Sequence, residues 1–392
     1  LFLGAGLLFR RFLANAAGID VEFVTYTIWV LVLDALAVIP FSRLRAEARP
    51  LFYAAVKIGN VALNLGLNFF FLIYLPKLAQ AYPGSFWSGI YVEGFQVGYV
   101  FVANVIASLA TLIVLLPHYL RLHWHFDREL WKSMMAYSLP VLVAGLAFVI
   151  NETFDRILLD ALNVPKADVG AYSACYKLAL FMTLFSTAFR LGIEPFFFSH
   201  AGQENAQQTY ATITKYFVIF GSVILLVVIV FADLLKLLII KDQSFWTAMK
   251  VVPLIILANF CLGIYNNLSV WYKLTDKTKI GAYISIAGAV VTLVLNFALI
   301  PSLSYYGSAI ATLAAYGTMM AVSWHLGNKY YPIPYDMKKI SLYLGASIGL
   351  SALSFYVPMF RESYVFGIAA ILFFMGILYR NEKATLQRIL RR

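Results

Sequence analysis

Four polar residues, Lys57, Asn60, Asn64 and Asn68, interrupt a long apolar run and are the first place in this chain where chemistry could be done. At 100° per residue they fall within about 80° of one another, so a helix would carry them on one face. Such a face either looks into a wet cavity or bonds a neighbouring helix through its amides. A second set lies in residues 169–198, VGAYSACYKLALFMTLFSTAFRLGIEPFFF, where Lys177 sits well inside the apolar stretch and Ser186, Arg190 and Glu194 recur every fourth residue. Arg190 and Glu194 can pair across one turn, and Pro195 then stops or bends the helix. The planar fork of Arg190 also suits a diphosphate, because it grips two oxygens at once. A third set is NETFDR, Asn151 to Arg156, which follows an apolar run that ends at Ile150. Its pairs Asn151/Asp155 and Glu152/Arg156 are four apart, which fits a helix end that neutralises itself or a gate at an external mouth. Asp34, inside VLVLDALAV, adds a carboxylate that can carry a coupling proton or pair with a cation. Asn259, Asn266 and Asn267 are weaker candidates, since lone amides commonly serve packing.

The elements that hold these groups must be membrane helices. Of 392 residues, 62% are hydrophobic and 12% charged, whereas a soluble domain carries about 25% charge. Mean hydropathy is +0.80. The net charge of +11 does not point to nucleic acid, because the basic residues are spread over short connectors between apolar runs. Cys175 and Cys261 both lie in apolar runs and read as small buried residues, with neither a disulfide framework nor a metal cluster. His123 and His125 flank Trp124 without further metal ligands. There is no GxxxxGK[ST] loop, no acidic glycosyltransferase-like cluster and no connector long enough for a catalytic domain. The expectation is a transporter, not an enzyme, with no cofactor and no metal.

Twelve apolar stretches are candidate spans: 1–14, 23–41, 51–75, 97–116, 136–150, 169–193, 216–240, 251–270, 280–300, 307–326, 340–357 and 365–379. They lack strand alternation, so the fold class is an all-α polytopic membrane protein. Counted over alternate connectors, seventeen basic residues fall on one side and eight on the other. The excess puts the C-terminus in the cytoplasm.

The chain also echoes itself at an offset of 228 residues, with Arg45–Leu72 lying over Lys273–Ile300 without a gap. The triplet Leu67-Asn68-Phe69 recurs as Leu295-Asn296-Phe297, and the basic Arg45 and Arg49 recur as Lys273 and Lys277. The echo pairs the third span with the ninth, so the unit is six helices long and both copies face the same way. This predicts an incomplete N-terminal lobe of about four helices over 1–132, a six-helix lobe over 133–328, and two trailing helices with a basic tail over 329–392. On that count two helices and part of a third precede Leu1.

The segments FDRILLDALNV, VGAYSACYKLALFMTLFSTAFRLGIEPFFFSHA, GIYNNLSVWYKLTDKTKIGAYISIAGAVVTLVLNFALIP and GNKYYPIPYDMKK resemble the bacterial polysaccharide biosynthesis proteins, or oligosaccharide flippases, in a form similar to those of Bacteroidetes. These belong to the multidrug/oligosaccharidyl-lipid/polysaccharide exporter superfamily. The resemblance implies fourteen helices in two six-helix lobes plus two. It implies a flippase of the bacterial inner membrane that moves oligosaccharide linked to undecaprenyl diphosphate for surface polysaccharide synthesis, by alternating access and with a proton or sodium ion as a candidate for coupling. Lys57, Lys177 and Arg190 would then be cavity cations, joined in the candidate binding set by Asn60, Asn64 and Glu194. Asp34, Asn151, Glu152, Asp155 and Arg156 are the coupling or gate candidates. The alternatives are a multidrug/cation antiporter of the same superfamily, in which intramembrane carboxylates should dominate, and a membrane glycan polymerase or ligase, which should carry large external loops.

Overall fold

The computed structural model describes residues 2–120, 126–361 and 363–390, and the described chain is helical with no strand. It divides into two compact units, Leu1–Phe126 and Asp127–Arg392.

The first unit holds α1 (Phe2–Ala17), α2 (Val21–Ala46), α3 (Pro50–Phe69), α4 (Leu75–Ala81), α5 (Phe86–Ile90) and α6 (Gln96–Leu120). Pro50 starts α3 at a position where its missing N–H costs nothing. A π-turn, Phe70–Tyr74, joins α3 to α4 immediately before Pro76. The widened turn relieves the clash a proline ring makes with the carbonyl four residues earlier, which lets the rod continue. Helix α6 packs against both α2 and α3. Ala37, Phe41 and Leu44 of α2 meet Val56 of α3 and Leu115 of α6 in a small apolar cluster.

The second unit holds α7 (Arg128–Ala161), α8 (Lys166–Tyr176), α9 (Leu180–His200), α10 (Ala206–Val230), α11 (Ala232–Ile239), α12 (Val252–Leu268), α13 (Val270–Leu274), α14 (Thr278–Leu303), α15 (Tyr305–Tyr330), α16 (Met337–Tyr356), α17 (Pro358–Arg361) and α18 (Tyr364–Leu390). Asp127 caps α7 by accepting from the backbone N–H groups of Glu129 and Leu130. Asp336 caps α16 in the same way through Lys339 N. Helix α12 is the axis of this unit. It packs on α15, α10 and α9, and most of its side chains are buried.

Nine helices among the described residues are long and apolar enough to cross a membrane. Helices α1, α15 and α16 coincide with expected spans yet are not among the nine; α1, with 16 residues, is too short, and α15 and α16 fall short by composition. Their polar residues explain the difference: Ser308, Thr312 and Ser323 of α15 and Ser347, Ser351 and Ser354 of α16 are buried against protein, not lipid. Small residues of this kind let helix backbones approach closely. One close approach is at the α14–α15 turn, where the chain reverses at Ser304 with φ +53°. A Cβ on Gly307 would lie 2.7 Å from the backbone carbonyl of Leu299. Backbone cannot swing aside as a side-chain tip can, so Gly307→Ala should destabilise the protein by about 1–3 kcal/mol. Thermal unfolding in detergent checks this, with Gly317→Ala, which meets nothing within 4 Å, as the neutral control.

Two ionic clusters fasten α16–α18 to the rest of the unit. Near the end of α18, the buried carboxylate of Glu382 accepts from Lys215 of α10 at 2.8 Å, Lys339 of α16 at 2.9 Å and the Tyr343 hydroxyl at 3.0 Å. Before its start, Arg361 donates from Nε and Nη2 to both oxygens of Asp233, at 2.9 and 3.0 Å, and Lys236 shares that carboxylate. The Arg361 fork, aided by Lys236, holds the Asp233 carboxyl down to about 2. About 27 Å of helical rise separates Tyr364, at the start of α18, from Glu382, close to the thickness of a hydrocarbon core.

Candidate functional site

In the first unit, α2, α3 and α6 enclose a polar cavity of about 220 Å³. Asp34, Lys57, Asn60 and Asn64 line it, facing Asn104, Ser108 and Thr111 of α6. Amide and hydroxyl groups tie the helices together: Asn60 Nδ2 donates to Thr111 Oγ1 at 2.9 Å, and Asn64 Nδ2 donates to Asn104 Oδ1 at 2.7 Å. Ser108 Oγ donates to Asp34 Oδ1 at 2.7 Å. Part of the asparagine stripe therefore binds helix to helix while its edge still faces the cavity. Lys57 Nζ rests 4.5 Å from the centre of the Phe41 ring, and no carboxylate lies within 4.0 Å of it among the described residues. Asp34 and Lys57 thus share one cavity without closing into an ion pair. The α6 groups were missed by the sequence reading, although their spacing of four and then three residues in NVIASLAT is itself a helical polar stripe.

Asn68, the fourth member of the stripe, turns inward along its own helix and donates to the Asn64 backbone carbonyl at 2.9 Å. Its repeat counterpart Asn296 does the same, donating to the Thr292 carbonyl at 2.8 Å. The amide that exposed the sequence echo makes one local hydrogen bond twice, once in each unit.

The NETFDR segment does not end a helix. Helix α7 runs on to Ala161, and Asn151 and Asp155 are each only 1% exposed. The expected pairs along the helix do not form. Asn151 Oδ1 accepts from Thr292 of α14 at 2.6 Å, and Asp155 Oδ2 accepts from Tyr172 of α8 at 2.8 Å. Glu152 Oε2 accepts from Tyr316 of α15 at 2.9 Å, and the Arg156 guanidinium lies 4.9 Å from the Tyr176 ring centre. The physical reason is the packing of α8, α14 and α15 around this stretch of α7. Cross-helix hydroxyls reach the carboxylates with better geometry than neighbours on the same helix. The result is a carboxylate–tyrosine cluster buried in protein, not a helix end at a membrane surface.

The third set is also rearranged. Glu194 pairs with Lys273 of α13 at 2.8 Å, in place of the expected partner Arg190. These residues and Asn266 and Asn267 line one small recess with Arg190, whose exposed guanidinium has no carboxylate within 4.0 Å among the described residues. Lys273 was read from sequence as a connector cation. Its place at the basic head of the repeat was the available signal, but the fold of α12 and α13 is what brings it to α9. Lys177 is exposed in a 3₁₀ turn between α8 and α9. Thirteen residues of helix put it about 20 Å from Arg190, so the two cannot hold one diphosphate together.

Among the described residues no group of three or more His, Cys, Asp or Glu side chains could hold a metal ion. Cys175 and Cys261 are free thiols. His123 and His125 lie outside the described residues. What remains is polar and charged groups set into spanning helices, which is the equipment of a membrane transporter.

Comparison with known proteins agrees with that class. A family model described as MatE matches residues 140–298, and one described as polysaccharide biosynthesis protein matches residues 85–188. A search of curated proteins gives no match. The chain shares its fold with a lipid II flippase, MurJ, solved in an inward closed conformation, at 14% identity and a TM-score of 0.65, over 97% of this chain and 80% of that one. It is similar to a MATE protein in complex with MaL6, at 12% identity and TM-score 0.65, over 88% of this chain and 76% of that one. A mutant of the Vibrio cholerae MATE transporter VcmN gives 16% identity and TM-score 0.65, over 87% and 76%. The chain is a multi-pass membrane protein with a transporter fold. The two family matches and the shared fold support the multidrug/oligosaccharidyl-lipid/polysaccharide exporter superfamily that the sequence resembles.

Proposed function

We propose that this protein is a flippase that carries oligosaccharide linked to a diphosphate lipid, of the undecaprenyl type, from the inner to the outer leaflet of the bacterial inner membrane, with its C-terminal tail in the cytoplasm. The observation that carries this reading is the set of span cations, Lys57, Lys177 and Arg190, for which no carboxylate lies within 4.0 Å among the described residues. A charge inside a span costs about 2.5–3.5 kcal/mol on insertion scales. Lone cations are retained where an anion visits them. The polysaccharide biosynthesis match and the fold shared with a lipid II flippase support the same class.

In this reading transport is by alternating access, with residues 133–328 and the trailing helices moving as one lobe. The diphosphate passes between cation sites and does not sit on all of them, since Lys177 and Arg190 are too far apart. The glycan occupies the water-filled space while the lipid tail stays in the bilayer. Asp155 and Glu152 are the coupling candidates in the second lobe and Asp34 in the first, taking up a proton or sodium ion.

Those carboxylates, and the MatE match over 140–298, favour a second reading as a cation antiporter. Reconstituted vesicles separate the two. A labelled lipid-linked oligosaccharide should cross, and an organic dye cation should not be exchanged against a proton or sodium gradient. Dye exchange without oligosaccharide transport would replace the first reading with the second.

A further inference from the structure

At the end of the second unit opposite the C-terminal tail, a cavity of about 720 Å³ lies among α11, the 3₁₀ segment Gln243–Val251 and α16–α18. Its lining joins three cations, Lys236, Lys250 and Arg361, to one carboxylate, Asp233, and to Phe355, Tyr356 and Tyr364. We propose that this cavity is a binding site for the phosphate headgroup of an anionic phospholipid from the adjoining leaflet.

Charge is the first argument. Asp233 is fully engaged, with Arg361 on both oxygens and Lys236 sharing one. Arg361 also stacks 4.4 Å from the Phe355 ring centre and Lys236 lies 4.7 Å from that of Trp246, so aromatic faces hold both cations in position. Lys250 is exposed and has no carboxylate within 4.0 Å among the described residues. Glu362, outside the described residues, adds one negative charge by sequence, which still leaves the cations in the majority. This side of the protein carries the minority of connector cations, so convergence of three in one cavity runs against the topological bias.

Size and surroundings decide between a lipid and a free ion. A cavity of this volume belongs with small-molecule sites of about 300–1,000 Å³, far larger than phosphate needs. Tyr356 and Tyr364 are half exposed at its rim, as aromatic residues are at headgroup level. Beside them Met359 and Val365 are each 79% exposed, an apolar surface suited to acyl chains and wasted on a soluble anion. The cavity lies beyond the end of α10 and before the start of α18, where spanning helices leave the hydrocarbon.

The test is lipid binding to the purified protein in neutral detergent, followed by native mass spectrometry. Dioleoylphosphatidylglycerol should bind saturably and dioleoylphosphatidylcholine at least tenfold more weakly. Lys250→Gln together with Lys236→Gln should weaken phosphatidylglycerol binding by at least tenfold. Lys250→Gln alone, which breaks no ion pair, should still weaken it severalfold and guards against misfolding of the double variant. Lys241→Gln, a nearby charge outside the lining, should leave it unchanged. Equal binding of the two lipids, equal loss in Lys241→Gln, or displacement of the lipid by millimolar inorganic phosphate would each overturn the proposal.

Discussion

Arg190→Ala lowers the rate of lipid-linked oligosaccharide transport by about a hundredfold while leaving thermal stability unchanged. The two halves of this prediction have separate physical sources. Removing one member of a desolvated, hydrogen-bonded charge pair costs about 2–5 kcal/mol, and about 1.4 kcal/mol is a factor of ten. On the proposed function, Arg190 supplies such a partner only when the diphosphate is present. Without ligand, Arg190 is exposed and bridges to no carboxylate among the described residues, so truncation should cost within about 0.5 kcal/mol of stability. Arg190→Lys should fall between the two, because it keeps the charge and loses the two-pronged grip. Lys273→Ala should behave differently: it strands Glu194, its partner at 2.8 Å, and so lowers stability as well as transport. Initial rates in vesicles and melting in detergent check both halves. Transport by Arg190→Ala at the unaltered rate would remove this residue from the site.

Asp155→Asn abolishes the response of transport to an imposed ion gradient while the fold survives, whereas Asp155→Ala weakens the fold itself. Asp155 is buried on α7 and accepts from the Tyr172 hydroxyl, whose side chain is 0% exposed. Alanine removes the acceptor of that buried hydroxyl, at a cost of about 1–3 kcal/mol. Asparagine retains an acceptor oxygen in nearly the same place but can neither carry a proton nor offer a charge to a cation. The two substitutions therefore separate scaffolding from coupling. Rates measured with and without a proton or sodium gradient, alongside melting curves, read them out. A gradient response that persists in Asp155→Asn would leave Glu152 or Asp34 as the coupling group.

The contrast between what was legible in the sequence and what was not has a physical cause in each instance. Helical class and most span positions follow from hydropathy, because lipid demands apolar surface and satisfied backbone. Lys57, Asn60 and Asn64 were found because polar residues at helical spacing are conspicuous in an apolar run. Asn104, Ser108 and Thr111 were not, because alanine and serine neighbours dilute the same spacing. The end of α7 was misplaced at Ile150 for a related reason. Hydropathy reports what faces lipid, and NETFDR faces protein, so the helix continues through residues that look like a terminus. The pairing of Glu194 with Lys273 lies beyond local sequence altogether, since it joins positions 79 residues apart that only the packing of α9 against α13 brings within reach.

The echo between the two copies divides along the same line. Asn68 and Asn296 make the same hydrogen bond to the carbonyl four residues back, which marks them as shared architecture. Lys57 has Ser285 at the matching place, and Asn64 has Thr292. The two matching helices thus share a spacing and one local hydrogen bond while differing in charge and polarity.

The central claim is movement of a diphosphate-linked glycolipid between leaflets, and it is tested most directly by following the lipid itself. Vesicles containing the purified protein and a fluorescent undecaprenyl-diphosphate oligosaccharide are treated with an impermeant quencher. Without protein about half the signal, that of the outer leaflet, is lost. With active protein the loss should approach completion, and in Arg190→Ala it should do so about a hundredfold more slowly. Protection of the inner leaflet equal to that of protein-free vesicles, with correctly folded and inserted protein, would contradict the account.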